Sequence, residues 1–144
     1  MVAALTAGSR LRSLRAAGST GQYLEMICPL LTYQDMQSSM QHLAEVFGLE
    51  VVWLNEDAAE IRWDGGVAVA QTDRPEDLHG THVGLGWIYV LVDDPDSHYE
   101  WAVAQGARVL GEPHSTADGE QRGYSTRDSE GNLWTFAVQR FGIT

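Results

Sequence analysis

The chain offers few groups able to do chemistry. Its single cysteine, Cys28, excludes an internal disulfide framework, a cysteine-rich zinc site and a CxxC redox pair. Of its five histidines, only His79 and His82 share a short spacing. Three residues apart, they would face one ligand if a helical turn formed; otherwise they are exposed loop groups, with His82 placed to hydrogen-bond a bound molecule. His42, His98 and His114 fall on helix faces or a loop read as exposed and receive no role. No paired carboxylates and no Ser-His-Asp arrangement are placed for acid-base or nucleophilic catalysis, so catalytic residues stay unassigned. Aromatic groups are plentiful instead: five tryptophans and five tyrosines in 144 residues suit stacking on a flat organic molecule.

Elements must position such groups, and the composition bounds what those elements can be. A chain of 144 residues fits one domain that buries roughly two thirds of its unfolded surface. No stretch approaches the roughly 18 apolar residues of a membrane span. All 20 acidic residues lie at Glu25 or later, whereas three of the nine basic ones, Arg10, Arg12 and Arg15, precede it, so the rest of the chain is more acidic than its net charge of −11. Such a field repels nucleic acid and anionic membrane. It either keeps the domain soluble or concentrates a cationic ligand. Residues 1–24, rich in Ala, Gly and Ser, read as an N-terminal extension ahead of a domain over 25–144. The lone thiol fits a cytoplasmic protein.

The domain repeats one pattern. Tyr33-Gln-Asp35 through Phe47-Gly48 to Val51-Val52 can be laid on Val92-Asp-Asp94 through Gln105-Gly106 to Val109-Leu110. In each copy an apolar strand-like run precedes an aspartate able to cap a helix N-terminus. The helix then ends at a glycine suited to the left-handed conformation. Met36, Met40, Leu43 and Phe47 form the core stripe of the first helix, and Tyr99, Ala102 and Val103 a weaker one in the second. Two further strands follow in each half: Ala59 to Trp63 and Val67 to Gln71, joined by Asp64-Gly65-Gly66, then Gly123 to Arg127 and Leu133 to Val138. The spacing predicts an α+β fold of two βαβββ halves, about 25–71 and 86–139, with a linker over 72–85 that could serve as a lid.

Two segments, Asp94-Pro-Asp-Ser-His-Tyr-Glu-Trp-Ala-Val-Ala-Gln-Gly-Ala-Arg-Val and Arg127-Asp-Ser-Glu-Gly-Asn-Leu-Trp-Thr-Phe, resemble the second half of the vicinal oxygen chelate superfamily of glyoxalases, extradiol dioxygenases and bleomycin-resistance proteins. Tyr33-Gln-Asp35 and Ala44-Glu-Val-Phe-Gly-Leu-Glu resemble its first half. The resemblance implies a cup-shaped mixed β-sheet with helices packed outside. In many members, two His, Gln or Glu side chains from each half hold a divalent metal in the cup. At the corresponding positions this chain has Cys28, Trp87, Thr135 and either Val69 or Ala70, a poor ligand set for Mn, Fe, Ni or Zn. No metal and no cofactor are therefore expected.

Alternation along the strands sets the expected lining. If Trp87 faces the cup, so do Tyr89 and Leu91; Cys28 is joined by Leu30, and Thr135 by Leu133 and Ala137. Trp134 and Phe136 then point into the core. The family pattern brings Arg122 and Tyr124 toward the cup, and Trp53 and Trp63 could extend its aromatic wall. Two functions stay open. One is a metal-independent binder of the bleomycin-resistance type that sequesters a small aromatic molecule, a planar cation being well suited, as in antibiotic self-resistance. The other is a lyase, isomerase or dioxygenase, with a metal or with Tyr124, His82 and Cys28. The default assembly is a homodimer.

Overall fold

A computed structural model describes residues 27–77 and 79–139; the N-terminal extension lies outside them. The first half runs β1 (Leu30–Tyr33), α1 (Met36–Phe47), β2 (Glu50–Asn55), β3 (Ala58–Trp63) and β4 (Gly66–Thr72). The second runs β5 (Trp87–Leu91), α2 (Pro95–Ala104), β6 (Arg108–Val109), a short β7 (His114–Ser115), β8 (Gln121–Arg127) and β9 (Leu133–Gln139). This is the α+β fold of two βαβββ halves, with β7 as an addition. The strands form two mixed sheets, ordered β1-β4-β3-β2 and β5-β9-β8-β6, with β7 paired to β8. Each sheet has one parallel pair, β1 with β4 and β5 with β9.

Local chemistry explains the boundaries. The Asp35 and Asp94 carboxylates accept hydrogen bonds from the amides of Ser38 and Ser97, each at 3.1 Å, and cap the two helices. The Ser38 amide holds the Asp35 carboxyl below the usual carboxylate range, and for Asp94 the Ser97 hydroxyl, donating at 2.7 Å, does so ahead of the amide. Gly48 ends α1 with φ of +75°, a left-handed conformation that costs a residue with a β-carbon. Asp64-Gly65 closes the β3–β4 hairpin, with Trp63 paired to Gly66. The first strand begins at Leu30, directly after Pro29, which has no amide hydrogen to donate to a sheet.

One core serves both halves. It takes Met36, Met40, Leu43, Val46 and Phe47 from α1, Ala59, Ile61, Ala68 and Ala70 from the first sheet, and Val90, Tyr124, Trp134 and Phe136 from the second. Phe47 is the pivot, with its ring centroid 5.8 Å from that of Trp134 and 5.4 Å from that of Phe136. Each sheet therefore turns one face to this core and the other outward.

The turn between β8 and β9 staples the halves. The buried Asp128 carboxylate accepts five hydrogen bonds: from the Tyr33 hydroxyl at 2.6 Å, Asn132 Nδ2, Trp134 Nε1, and the amides of Glu130 and Asn132. Burial, reinforced by that carboxylate, pushes the Tyr33 hydroxyl far up, so it remains a donor. Glu130 reaches back to α1, accepting from the amides of Gln34 and Asp35 and the Ser39 hydroxyl. Removing the acceptor strands buried donors, each worth about 1–3 kcal/mol. Asp128→Ala is accordingly expected to lower unfolding free energy by about 3 kcal/mol or more in a urea titration, whereas truncating the exposed Glu56 should change it by under about 0.5 kcal/mol.

Candidate functional site

Strand alternation places the aromatic groups of the second sheet. Along β5, Trp87, Tyr89 and Leu91 are 67%, 40% and 45% exposed, while Ile88 and Val90 are buried. The parallel register aligns Trp87 with Leu133, Tyr89 with Thr135 and Leu91 with Ala137. The antiparallel register beyond it aligns Thr135 with Ser125 and Ala137 with Gly123. Trp134 and Phe136 point into the core. The outward face of this sheet is thus a row of exposed aromatic and apolar groups backed by small side chains.

Polar contacts hold that row in place. The Trp87 indole donates to the Thr135 hydroxyl at 2.9 Å, and that hydroxyl lies 2.8 Å from the Ser125 hydroxyl. Gln121 donates to the Tyr89 hydroxyl at 2.6 Å. Two of the exposed rings are therefore oriented before any ligand arrives. Ser125 and Gln121 were not singled out in the sequence; alternation from Thr135 across a known register would have found them.

Four expected lining residues lie elsewhere. Tyr124 pairs with Phe136 and is 1% exposed, so it faces the core. Its hydroxyl lies 2.6 Å from His98 Nδ1, and burial pushes its ionisation well up. Arg122 shares that face and makes a two-pronged ion pair with Asp96 of α2, at 2.7 and 2.8 Å. Trp53 pairs with Ala59, and Trp63 packs edge-on against Trp134 at 6.4 Å. Both tryptophans therefore lie on the core-bearing side of the first sheet. The cause is phase: one residue of register exchanges the two faces of a strand.

In the first sheet the outward row is Leu30, Val69, Glu60 and Val52. Cys28 precedes β1, and its thiol is raised, first by burial and then by the charge of Glu60, which works against nucleophilicity. His82 lies exposed in the connector. His79 is held at φ of +58°, and no helical turn joins the two. His98, read as exposed, is half-buried against Phe136, with Nε2 2.9 Å from the Phe47 carbonyl. Its i,i+4 spacing to the buried Ala102 was the available signal. A separate cleft of about 650 Å³ lies where the halves meet, lined by Phe47, Trp63, Asp64, Asp93 and His98 among others. Of the outward row it touches only Leu91.

A family model described as Glyoxalase/Bleomycin resistance protein/Dioxygenase superfamily matches residues 24–136. The chain belongs to this superfamily. Solved structures with the superfamily fold agree. TioX from Micromonospora sp. ML1 is 23% identical with a TM-score of 0.65, covering 83% of this chain and 99% of that one. A glyoxalase-related enzyme from Fulvimarina pelagi is 20% identical at 0.64, covering 81% and 89%. A glyoxalase/bleomycin resistance protein/dioxygenase from Nocardioides is 14% identical at 0.64, covering 94% and 95%. None of the curated proteins matches.

Many superfamily members bind a divalent metal in the cup, and the corresponding side chains here do not fit one. Val69 rather than the buried Ala70 is the outward residue of β4. The set is then a thiol, an indole whose N–H is already donating, a hydroxyl engaged on both sides, and an isopropyl group. Among the described residues, no group of three or more His, Cys, Asp or Glu side chains could hold a metal ion. No helix among them is long and apolar enough to cross a membrane.

Burial pushes the pKa values of both His98 and His42 down. The unfolded chain then binds more protons than the folded one below the ordinary histidine pKa of about 6.5, so stability is full above that value and is lost as pH falls. The melting temperature should drop between about pH 7 and pH 5, and His98→Gln should flatten part of that slope in a pH series of thermal melts.

Proposed function

We propose that the chain is a metal-independent small-molecule-binding protein of the bleomycin-resistance type. It sequesters an aromatic, cationic compound in the cytoplasm, in the manner of antibiotic self-resistance. The observation that carries this reading is the oriented outward row of Trp87, Tyr89 and Leu91, with hydroxyls but, among the described residues, no nucleophile-base pair beside it. Exposed, pre-positioned rings favour planar ligands.

Lyase, isomerase or dioxygenase chemistry finds less support. Tyr124 faces the core, the Cys28 thiol is raised, and the metal-position side chains are poor donors. The outward row also favours the homodimer. Because both sheets give their other face to one core, a second copy laid against an outward face would enclose the ligand. An apolar row left open to water is a normal signature of such a contact.

Tryptophan-quenching titrations with planar aromatic compounds test the binding claim, using Trp87→Ala as the control. The variant should bind about tenfold more weakly or worse while melting within a few degrees of wild type. Equal affinity in the two proteins would place the ligand elsewhere. Turnover of a glyoxalase- or dioxygenase-type substrate that depends on added metal would contradict the reading altogether. Sedimentation velocity should show a dimer.

A further inference from the structure

Among the described residues, two acidic side chains, Asp128 and Glu60, are buried, and they are treated in opposite ways. Asp128 is surrounded by five donors. Glu60 is 8% exposed, and its Oε1 has no hydrogen-bond partner. It sits on the central strand β3, on the outward face, with Val52 as its cross-strand neighbour on one side and Val69 then Leu30 on the other. Arg62, the next residue on that face of β3, forms no ion pair among the described residues. The Thr32 hydroxyl, on the same face two residues along from Leu30, is also buried and unpartnered.

A carboxylate withdrawn from water among aliphatic neighbours is strongly disfavoured unless something compensates it. The fold gives Glu60 Oε1 no hydrogen bond, although it surrounds the Asp128 carboxylate with five donors. Among the buried side-chain atoms left without a partner, Glu60 Oε1 and Thr32 Oγ1 share the outward face of one sheet, and a local rule broken twice on one face points to a ligand there. The charge of Glu60 also reaches the mouth of this face, where it helps to raise the exposed Cys28 thiol. The net charge of −11 draws cations toward the same place.

We propose that the Glu60 carboxylate anchors a cationic nitrogen group of the aromatic molecule that this protein binds, reaching it from a second copy whose first sheet closes over the Trp87 row. The inference rests on the binding function proposed above and adds to it a residue and a charge requirement. An ammonium, amidinium or quaternised ring nitrogen would supply the missing partner, by a hydrogen bond once the Glu60 side chain turns toward it where it carries an N–H, and by charge where it does not. Thr32 Oγ1 offers a second polar contact to the same guest.

Paired probes of one shape test the proposal: N-methylacridinium, a permanent cation, and acridine, uncharged in mildly alkaline buffer. Each is titrated against tryptophan fluorescence of the full chain. Wild type should prefer the cation by about tenfold or more. Glu60→Gln should abolish that preference while holding acridine within about threefold. The ligand-free variant should melt at the wild-type temperature or above it, because an uncompensated charge has been removed. Should the glutamine protein fail to fold, Glu60→Met reads the same preference. A preference that survives the substitution overturns the role of Glu60, as does wild type binding both probes equally well; either result leaves the aromatic-binder reading standing. Failure of wild type to bind either probe overturns both.

Discussion

The buried Asp128 carboxylate is the constraint on which the two halves depend. It accepts the hydroxyl of Tyr33 from the first half and the indole of Trp134 from the second, and it organises the turn that carries Glu130. Glu130 in turn satisfies amides and a hydroxyl around the start of α1, groups that a helix cannot satisfy by itself. A carboxyl group so deep in the core is tolerated because five donors point at it. The same bonds fix how the second sheet sits against the first helix, and so which faces of the sheets are left outward.

The outward faces follow from that fixed core by strand geometry. Once Ile88 and Val90 are committed inward, Trp87, Tyr89 and Leu91 have no other place to go. The hydrogen bonds from Trp87 to Thr135 and from Gln121 to Tyr89 then limit ring motion without covering the rings. The result is a row of exposed rings beside hydroxyls, while two ionisable pairs, His98 with Tyr124 and Arg122 with Asp96, are spent on packing helix α2 to β8 and α1.

Much of this was legible in the sequence, for identifiable reasons. Asp35 and Asp94 at matched places before apolar helical stripes, and Gly48 after one of them, are local signals with one structural meaning each. The alternation of β5 was readable because its pattern has two clear states. The β8 strand was not: Gln121-Arg-Gly-Tyr-Ser-Thr-Arg127 alternates weakly, so Arg122 and Tyr124 were assigned to the face that Gln121 and Ser125 occupy. Trp53 and Trp63 were misplaced for a related reason, since an aromatic side chain suits either face and only the register with Ala59 and Gly66 decides. His98 depends on a contact with Phe47, fifty-one residues away, which no local pattern carries. Glu60 escaped notice because one glutamate in an acidic chain is unremarkable until its burial is known.

The proposed binding surface is the outward face of β5 and β9, and the proposal needs no metal there. The most direct measurement is a map of nitrogen-proton NMR shifts during titration with a planar aromatic cation, repeated with a strong chelator present. The account predicts that the Trp87 indole signal and the amides of Tyr89, Ser125 and Thr135 move together, and that the chelator changes nothing. Shifts gathered instead around Phe47, Trp63 and His98, or shifts that vanish with the chelator, would contradict it.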